Sequence, residues 1–530
     1  MKQLLLKYSY PLALLCFTVL FLFVYLVLEV RFVENDDNIM ALIASGAYSG
    51  TPDSHLVFIQ VIFGLFLKTL YSWFPGLEWY TLSFVGLQII SAAAITVIIS
   101  KTPQRNMLKL ALGGFLVAVF VYCSVYLQFT SVAAFAAIAG ISLILQRQQW
   151  LGGAILFVIG SLIRFEAAVL ILMISLPLWG VFTQTLAASF KHSKVRILIA
   201  LVGLSILCKA VDTAYYYSDP DWKYYIQYNK IRGKINDNPN GRRASLELPP
   251  LLSKEDYELL LNFTPNPEAI DLALLQQIHQ AIDQKTLSPK LRNVKQLLWY
   301  GPWLLLAFVY MGMLFFEQEK TAKLQMLASS VIFIGLLGFV TLNATLKARV
   351  FFPAFGAYIF FCCWVSGQAL QHRKMVIAST AILLVSLGLL VKSYTWSASL
   401  RPKIATYERQ LSMIHHYLGE GKKLAVYRGS LPLEKNDPFT LSASFPTQQI
   451  YLSGWMTGIP FHKGKYDAFD FFIEKNGLFV HQQNSFSKTA ALVGASILQH
   501  DTIMVRSRVA SEAEACAIIE FDELSSFDEN

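Results

Sequence analysis

The sequence predicts an α-helical polytopic membrane protein of about eleven transmembrane helices, closed at its carboxyl end by a small extracytoplasmic α/β domain. Three observations predict it. Of 530 residues, 55% are hydrophobic and only 15% are charged, with a mean hydropathy of +0.47, whereas about a quarter of an average soluble domain is charged. Apolar runs of helix length recur up to residue 394, and charge density rises from 395 onward. Lysines and arginines collect in alternate short links between the runs, as expected of cytoplasmic loops. That distribution accounts for the net charge of +9 and argues against a nucleic-acid partner. The six cysteines fall mostly inside apolar runs without metal-ligand spacing, so neither a disulfide framework nor a zinc site is expected.

The first run, 10–31, follows Lys2 and Lys7 and lacks a small-residue cleavage site. It is expected to remain as a helix whose amino end is cytoplasmic. Further runs lie at roughly 80–100, 107–126, 129–146, 150–164, 167–183, 196–213, 297–316, 324–343, 350–369 and 375–394. The run from His55 to Trp73 is apolar but carries His55 and Lys68. Laid along the outer interface, it leaves Lys101, Arg105 and Lys109 in the cytoplasm. Arg147, Lys191 with Lys194 and Arg196, Lys320 with Lys323, and Arg373 with Lys374 then all fall on the cytoplasmic side.

On this topology the segments 32–79, 214–296 and 395–530 are extracytoplasmic, as are the turns holding Arg164-Phe165-Glu166 and Lys347-Ala348-Arg349. The chain divides into a membrane module, 1–394, and a carboxyl-terminal domain, 395–530. Within 214–296, Ser253-Lys-Glu-Asp256 resembles a helix cap, and Pro267 opens a run with Ile270, Leu272, Leu275 and Ile278 at near-helical spacing. In the tail, Leu424–Tyr427 and Gln449–Leu452 read as strands, and 405–418 and 486–498 as helices.

Candidate chemistry begins just after the first span. Glu34-Asn35-Asp36-Asp37 places three carboxylates within four residues, and Asp53 and His55 return after a glycine-rich turn. Carboxylates at a membrane edge can serve as a general base or as oxygen ligands for a divalent cation, Mg or Mn, a question the sequence leaves open. The amphipathic residues that follow the acids are expected to press this loop against the bilayer. Cations of opposite sign occur on the same expected side: Arg164 beside Glu166, and Lys347 with Arg349. Placed against the positive-inside tendency, they suggest an anion to hold, and arginine's forked donors suit phosphate. The alternative for Arg164 is an ion pair with Glu166. Lys209 and Asp212 read as a local helical pair, and His415, His416 and His462 as surface or core histidines. Outer aromatics including Trp79, Tyr80, Trp222, Tyr224, Tyr225, Trp455 and Phe461 can stack on sugars or sit in the headgroup belt. No phosphate-binding glycine loop with its lysine, no Gly-x-Ser-x-Gly and no His-Glu-x-x-His occurs.

This constellation resembles the GT-C class of polyprenyl-phosphate-sugar-dependent integral membrane glycosyltransferases, which includes protein O-mannosyltransferases, the lipid A aminoarabinose transferase and oligosaccharyltransferases. The likeness rests on a first span leading into Asp36-Asp37, a helix ending near Ser45-Gly46-Ala-Tyr48, and a second interfacial helix from His55 to Trp73. It covers the first hundred residues best and the remaining layout loosely. The resemblance implies a GT-C-like helix arrangement, a polyprenyl-phosphate sugar donor, a glycan, lipid or protein acceptor, and a bacterial inner (plasma) membrane. Asp36 matches the first acid of the family's pair, catalytic in several members, and Asp37 the second. Asp-Asp replaces the commoner Asp-Glu, which leaves open which carboxylate is the base. By position, Arg349, Lys347 and Arg164 are assigned to the donor phosphate, with Glu34, Asp53, His55 and Glu166 in support.

Two rivals remain at this stage. An O-antigen ligase or polysaccharide polymerase also uses many spans and one long outer loop, and would give the weight to Arg232, Arg242 and Arg243. A transporter or flippase of lipid-linked glycans would need charges in mid-span, where this sequence has few.

Overall fold

The computed structural model describes residues 9–102, 105–146, 149–179, 193–238, 257, 260–261, 270–283, 295–316, 319–343, 346–365, 372–419, 423–426, 433–442, 450–452, 454–462, 477–482, 504–513 and 516–524. The chain is a helical membrane protein. Helices α1 (Ser9–Val27), α4 (Trp79–Lys101), α5 (Asn106–Val125), α9 (Ser193–Tyr217), α13 (Lys320–Asn343), α14 (Ala348–Val365) and α15 (His372–Gly419) supply seven segments long and apolar enough to cross a bilayer. Shorter apolar helices fill the remaining runs: α6 (Phe129–Leu145), α7 (Trp150–Ile163), α8 (Phe165–Ser175) and α12 (Gly301–Phe316).

Helix α6 is the axis of the bundle, since every residue in it except Thr130 is buried. It can sit there because small residues line its contact with α7. A Cβ on Gly153 would lie 2.5 Å from the Gly140 carbonyl oxygen, and one on Gly160 would lie 2.7 Å from that of Ala133, so the two backbones touch as small-residue membrane interfaces do. At the periphery, α1, α9 and α13 expose Leu15, Phe23, Ile199, Leu207, Leu327 and Val331. Such an apolar exterior suits hydrocarbon.

At one end of the bundle, a two-residue parallel ladder joins β1 (Arg31–Phe32) to β2 (Tyr126–Leu127). It ties the exit of α1 to the link between α5 and α6. Helix α2 (Asn35–Ser45) follows and stops where Gly46 takes a φ of 83°; a Cβ there would lie 2.4 Å from Pro52 N. The sequence suggests that α2 presses on the bilayer. In the fold, all residues from Asp37 to Ala44 are buried, because the tail and neighbouring helices enclose them. The next helix, α3 (Val61–Trp73), is shorter than the expected His55–Trp73, because residues 51–60 form an irregular loop. Its 13 residues reach about 20 Å, too short for a core of about 30 Å. Leu65, Phe66 and Trp73 form its exposed apolar edge.

Helix α10 (Pro220–Asp237) starts on a capping aspartate, Asp219, whose Oδ1 accepts from the amides of Asp221 at 2.8 Å and Trp222 at 3.3 Å. It packs Tyr228 and Ile235 against Leu275 and Ile278 of α11 (Leu272–Asp283). Its described residues begin at Leu272, with Asp271 accepting from the Leu274 amide at 2.7 Å; Pro267 lies outside the described residues. The predicted cap at 253–256 lies outside the described residues, as does the predicted helix at 486–498.

Helix α15 runs without a break through the expected domain boundary at 394/395. Its 48 residues span about 72 Å, more than twice a hydrocarbon core, so its second half projects beyond the bundle. Beyond it lies a five-stranded sheet of order β4-β3-β5-β7-β6, built from β3 (Lys423–Val426), β4 (Ile450–Leu452), β5 (Gly477–Gln482), β6 (Met504–Ala513) and β7 (Cys516–Leu524). Strand β3 pairs in parallel with β4 and β5, while β7 runs antiparallel between β5 and β6. Strands β3 and β4 fall where the alternation pattern predicts them.

Candidate active site

The first turn of α2 presents its two acids to different surroundings. Asp37 is fully buried, and its Oδ1 accepts from the Tyr80 hydroxyl at 2.9 Å and the Phe129 amide at 3.0 Å. Its Oδ2 is buried with no hydrogen-bond partner among the described residues. Burial pushes the Asp37 carboxyl well above the usual range, and its two bonds oppose that only in part. Asp36 instead faces cations, with its Oδ2 4.0 Å from Arg349 Nη1. Burial raises its pKa, Arg349 opposes the rise, and Glu34 adds to it.

The beginning of α14 supplies those cations. Arg349 Nη1 lies 3.4 Å, and Lys347 Nζ 3.8 Å, from Glu34 Oε1. The Arg349 Nη1 atom is buried without a hydrogen-bond partner among the described residues, so donor capacity remains beside two carboxylates. A bound anion could use it. Residues more than three hundred positions apart thus meet at one end of the bundle.

Arg164 is engaged otherwise. Its Nε lies 3.0 Å from Glu166 Oε2, Nη1 donates to the Phe58 carbonyl at 3.4 Å, and the guanidinium lies 5.5 Å from the Phe129 ring centre. This is the ion-paired alternative, although its charge still lowers the pKa of Asp36. The Phe58 carbonyl it grips follows Val57, a β-branched residue with a φ of 64°. That strained backbone is held by the Val57 amide, which donates to the Tyr216 hydroxyl at 2.8 Å.

Asp53 and His55 pair with each other and not with the α2 acids. Asp53 Oδ1 accepts from the His55 amide at 2.8 Å and bonds Nδ1 at 2.7 Å. Burial pushes the Asp53 carboxyl up, but these bonds outweigh it and hold it below its usual range. The imidazole stacks on Trp222 at 4.2 Å and meets Tyr215 and Tyr216. Asp36 and Asp37, the candidate carboxylate ligands for a divalent cation, are therefore not joined by Asp53 or His55. No group of three His, Cys, Asp or Glu able to hold a metal occurs among the described residues.

Several sequence candidates have structural work. Tyr80 and Tyr225 are buried, Trp222 stacks on His55, and Phe461 packs edge-on against Trp222 at 5.1 Å. Arg232 is fully buried and donates to the Trp455 carbonyl at 2.8 Å; Arg242 and Arg243 lie outside the described residues. Asp212 pairs with Lys209 at 2.8 Å and also accepts from the Val61 amide at 2.9 Å, capping α3. Buried His462 bonds the Tyr48 hydroxyl.

Sequence reasoning missed how closely the tail covers this end. Residues 433–442 lie over the first loop: the Glu434 amide donates to Asn35 Oδ1 at 3.1 Å, Arg31 Nε to the Lys435 carbonyl at 2.9 Å, and the Tyr25 hydroxyl to Asp437 Oδ2 at 2.8 Å. Buried Glu78 accepts from the amide and hydroxyl of Ser442 and from the Tyr71 hydroxyl. Burial raises its pKa, and these bonds counter only part of the rise. An acid directly before an apolar run was the available signal.

Beneath the charged cluster lies a small apolar cavity of about 30 Å³ between α4, α5, α6 and α14. Its upper wall includes Cys123, Ser131 and Pro353, and it descends to Leu112, Ile138 and Phe360. Pro353 is one turn beyond Arg349, and Ser131 is two residues beyond Phe129, the amide partner of Asp37. Compared with protein-family models, curated proteins and solved structures, the chain matches none.

Proposed function

We propose that this protein is a GT-C-like membrane glycosyltransferase, moving a sugar from a polyprenyl-phosphate donor to a hydroxyl of an extracytoplasmic glycan, lipid or protein. The observation that carries the reading is Asp36 opposed to Arg349 and Lys347 above an apolar cavity. A prenyl chain suits the apolar surface there, and its phosphate would reach the unused donor of Arg349. The donor phosphate displaces Glu34 from the two cations. Asp36 takes the proton of the acceptor hydroxyl, whose oxygen attacks the anomeric carbon. The bond from that carbon to the phosphate oxygen breaks, and the electron pair leaves with the phosphate. Arg349 and Lys347 stabilise the charge that develops there. Asp37 holds the first turn of α2 through Tyr80 and Phe129. The reading includes eleven crossings of a bacterial plasma membrane, a cytoplasmic amino end and the tail outside.

The test is a panel of polyprenyl-phosphate hexoses presented to the purified protein in liposomes. Release of polyprenyl phosphate by the wild type, absent in Asp36→Asn, supports transfer. Movement of the donor across the bilayer with no new glycosidic bond would identify a carrier instead.

A further inference from the structure

Lys392 lies on α15 one turn before Trp396, which stacks on Tyr126 at 4.2 Å. It therefore stands at the end of the bundle that carries α2. A lysine at this depth ordinarily extends its ammonium away from the protein, toward headgroups and water. Here the ammonium turns inward: Nζ is 4.2 Å from the centre of the Phe352 ring and 6.0 Å from that of Tyr122, and both rings are buried. The side chain is half-buried, and no carboxylate among the described residues pairs with it. An ammonium held this way has exchanged part of its water for ring faces, which compensate for only part of the hydration lost.

Its position gives that deficit a meaning. Phe352 is one turn beyond Arg349 on the same face of α14, and Tyr122 and Phe352 directly precede Cys123 and Pro353 in the cavity wall. The cavity wall is almost wholly apolar, so it suits contact with a hydrocarbon chain, and the group at the head of such a chain would meet Lys392. We infer that Lys392 is an anion-binding group at the cavity mouth, taking the phosphate of a lipid whose chain packs against the apolar surface there. This deepens the proposed function, on which it rests for the identity of that lipid as the sugar donor. Arg349 and Lys392 then approach one phosphate from two helices.

The experiment measures binding to wild type, Lys392→Gln and Lys392→Arg in nanodiscs of zwitterionic lipid. The probes are undecaprenyl phosphate, undecaprenol, phosphatidylglycerol and inorganic phosphate, and thermal unfolding verifies each variant's fold. Undecaprenyl phosphate is expected to bind the wild type well above undecaprenol. Lys392→Gln should lose at least about tenfold of that affinity, the value of one charge-assisted hydrogen bond, with Lys392→Arg recovering most of it. Undecaprenol should bind all three alike. If phosphatidylglycerol shows the same Lys392-dependent binding, the site takes lipid phosphate generally; if inorganic phosphate alone does, the lipid part of the inference is wrong. Equal undecaprenyl phosphate affinity in folded wild type and Lys392→Gln overturns the inference and leaves the transferase reading to its own assay. Lys392-dependent binding without any sugar transfer has the opposite meaning: the anion site stands and the transferase reading fails.

Discussion

Replacing Asp37 by asparagine is expected to preserve most transfer activity, whereas the same change at Asp36 removes it. Asp37 is fully buried, both of its described bonds fall on Oδ1, and burial pushes its carboxyl pKa well above the usual range. Asparagine keeps an oxygen for the Tyr80 hydroxyl and the Phe129 amide, and its NH2 takes the place of Oδ2, which has no described partner, so the change should cost about 1–3 kcal/mol at most and leave the fold intact. Asp37→Ala is different. It strands two buried donors at about 1–3 kcal/mol each, or about 2–6 kcal/mol together, and opens a cavity besides. Asp36 makes no described hydrogen bond, and its nearest cation is 4.0 Å away, so Asp36→Asn should fold normally while losing the roughly 10²–10⁴-fold that a general base contributes. Initial rates in proteoliposomes and thermal unfolding in one detergent measure both quantities. An Asp37→Asn protein that unfolds like the wild type but is as inactive as Asp36→Asn would reverse the assignment, making Asp37 the base.

Because burial raises the Asp36 pKa and only its deprotonated form accepts a proton, the acid limb of kcat/KM against pH should lie above the ordinary carboxylate value of about 4. Arg349→Met removes the cation that lowers that pKa, so the limb of the residual activity should move to higher pH; an unmoved limb would show that another group titrates. For the bundle, Gly153→Ala forces a methyl group to within 2.5 Å of the Gly140 carbonyl and should destabilise by about 1–3 kcal/mol. Gly152→Ala meets nothing within 4 Å and should change little, a contrast that thermal unfolding reads directly. Glu78→Ala frees three donors from residues 442 and 71, so hydrogen-exchange protection across 433–442 should fall, while unchanged protection would mean the other contacts of that segment suffice.

What the sequence made legible follows from how far each signal reaches. Hydropathy is local, and helices occupy all eleven apolar runs; the backbones of α6 and α7 touch because glycines and alanines line their contact, a property of a pair that neither run displays by itself. The acids at 34, 36 and 37 were visible through their clustering just after the first span, and the cations at 347 and 349 through their unusual side of the expected topology. Their meeting depends on α2 being enclosed, and that in turn depends on residues 433–442, whose composition gives no hint of where they dock. Lys392 was hidden for a related reason. At the end of an apolar run it looks like a residue reaching for water, and only the position of Phe352, forty residues earlier, shows that its ammonium turns inward. Periodicity can predict which face of a helix is apolar, but it contains no information about which distant ring will lie beneath a charge. The roles of Lys392 and Glu78 therefore had to come from tertiary structure, whereas Asp36 and Arg349 could be nominated one at a time from their depth and sign.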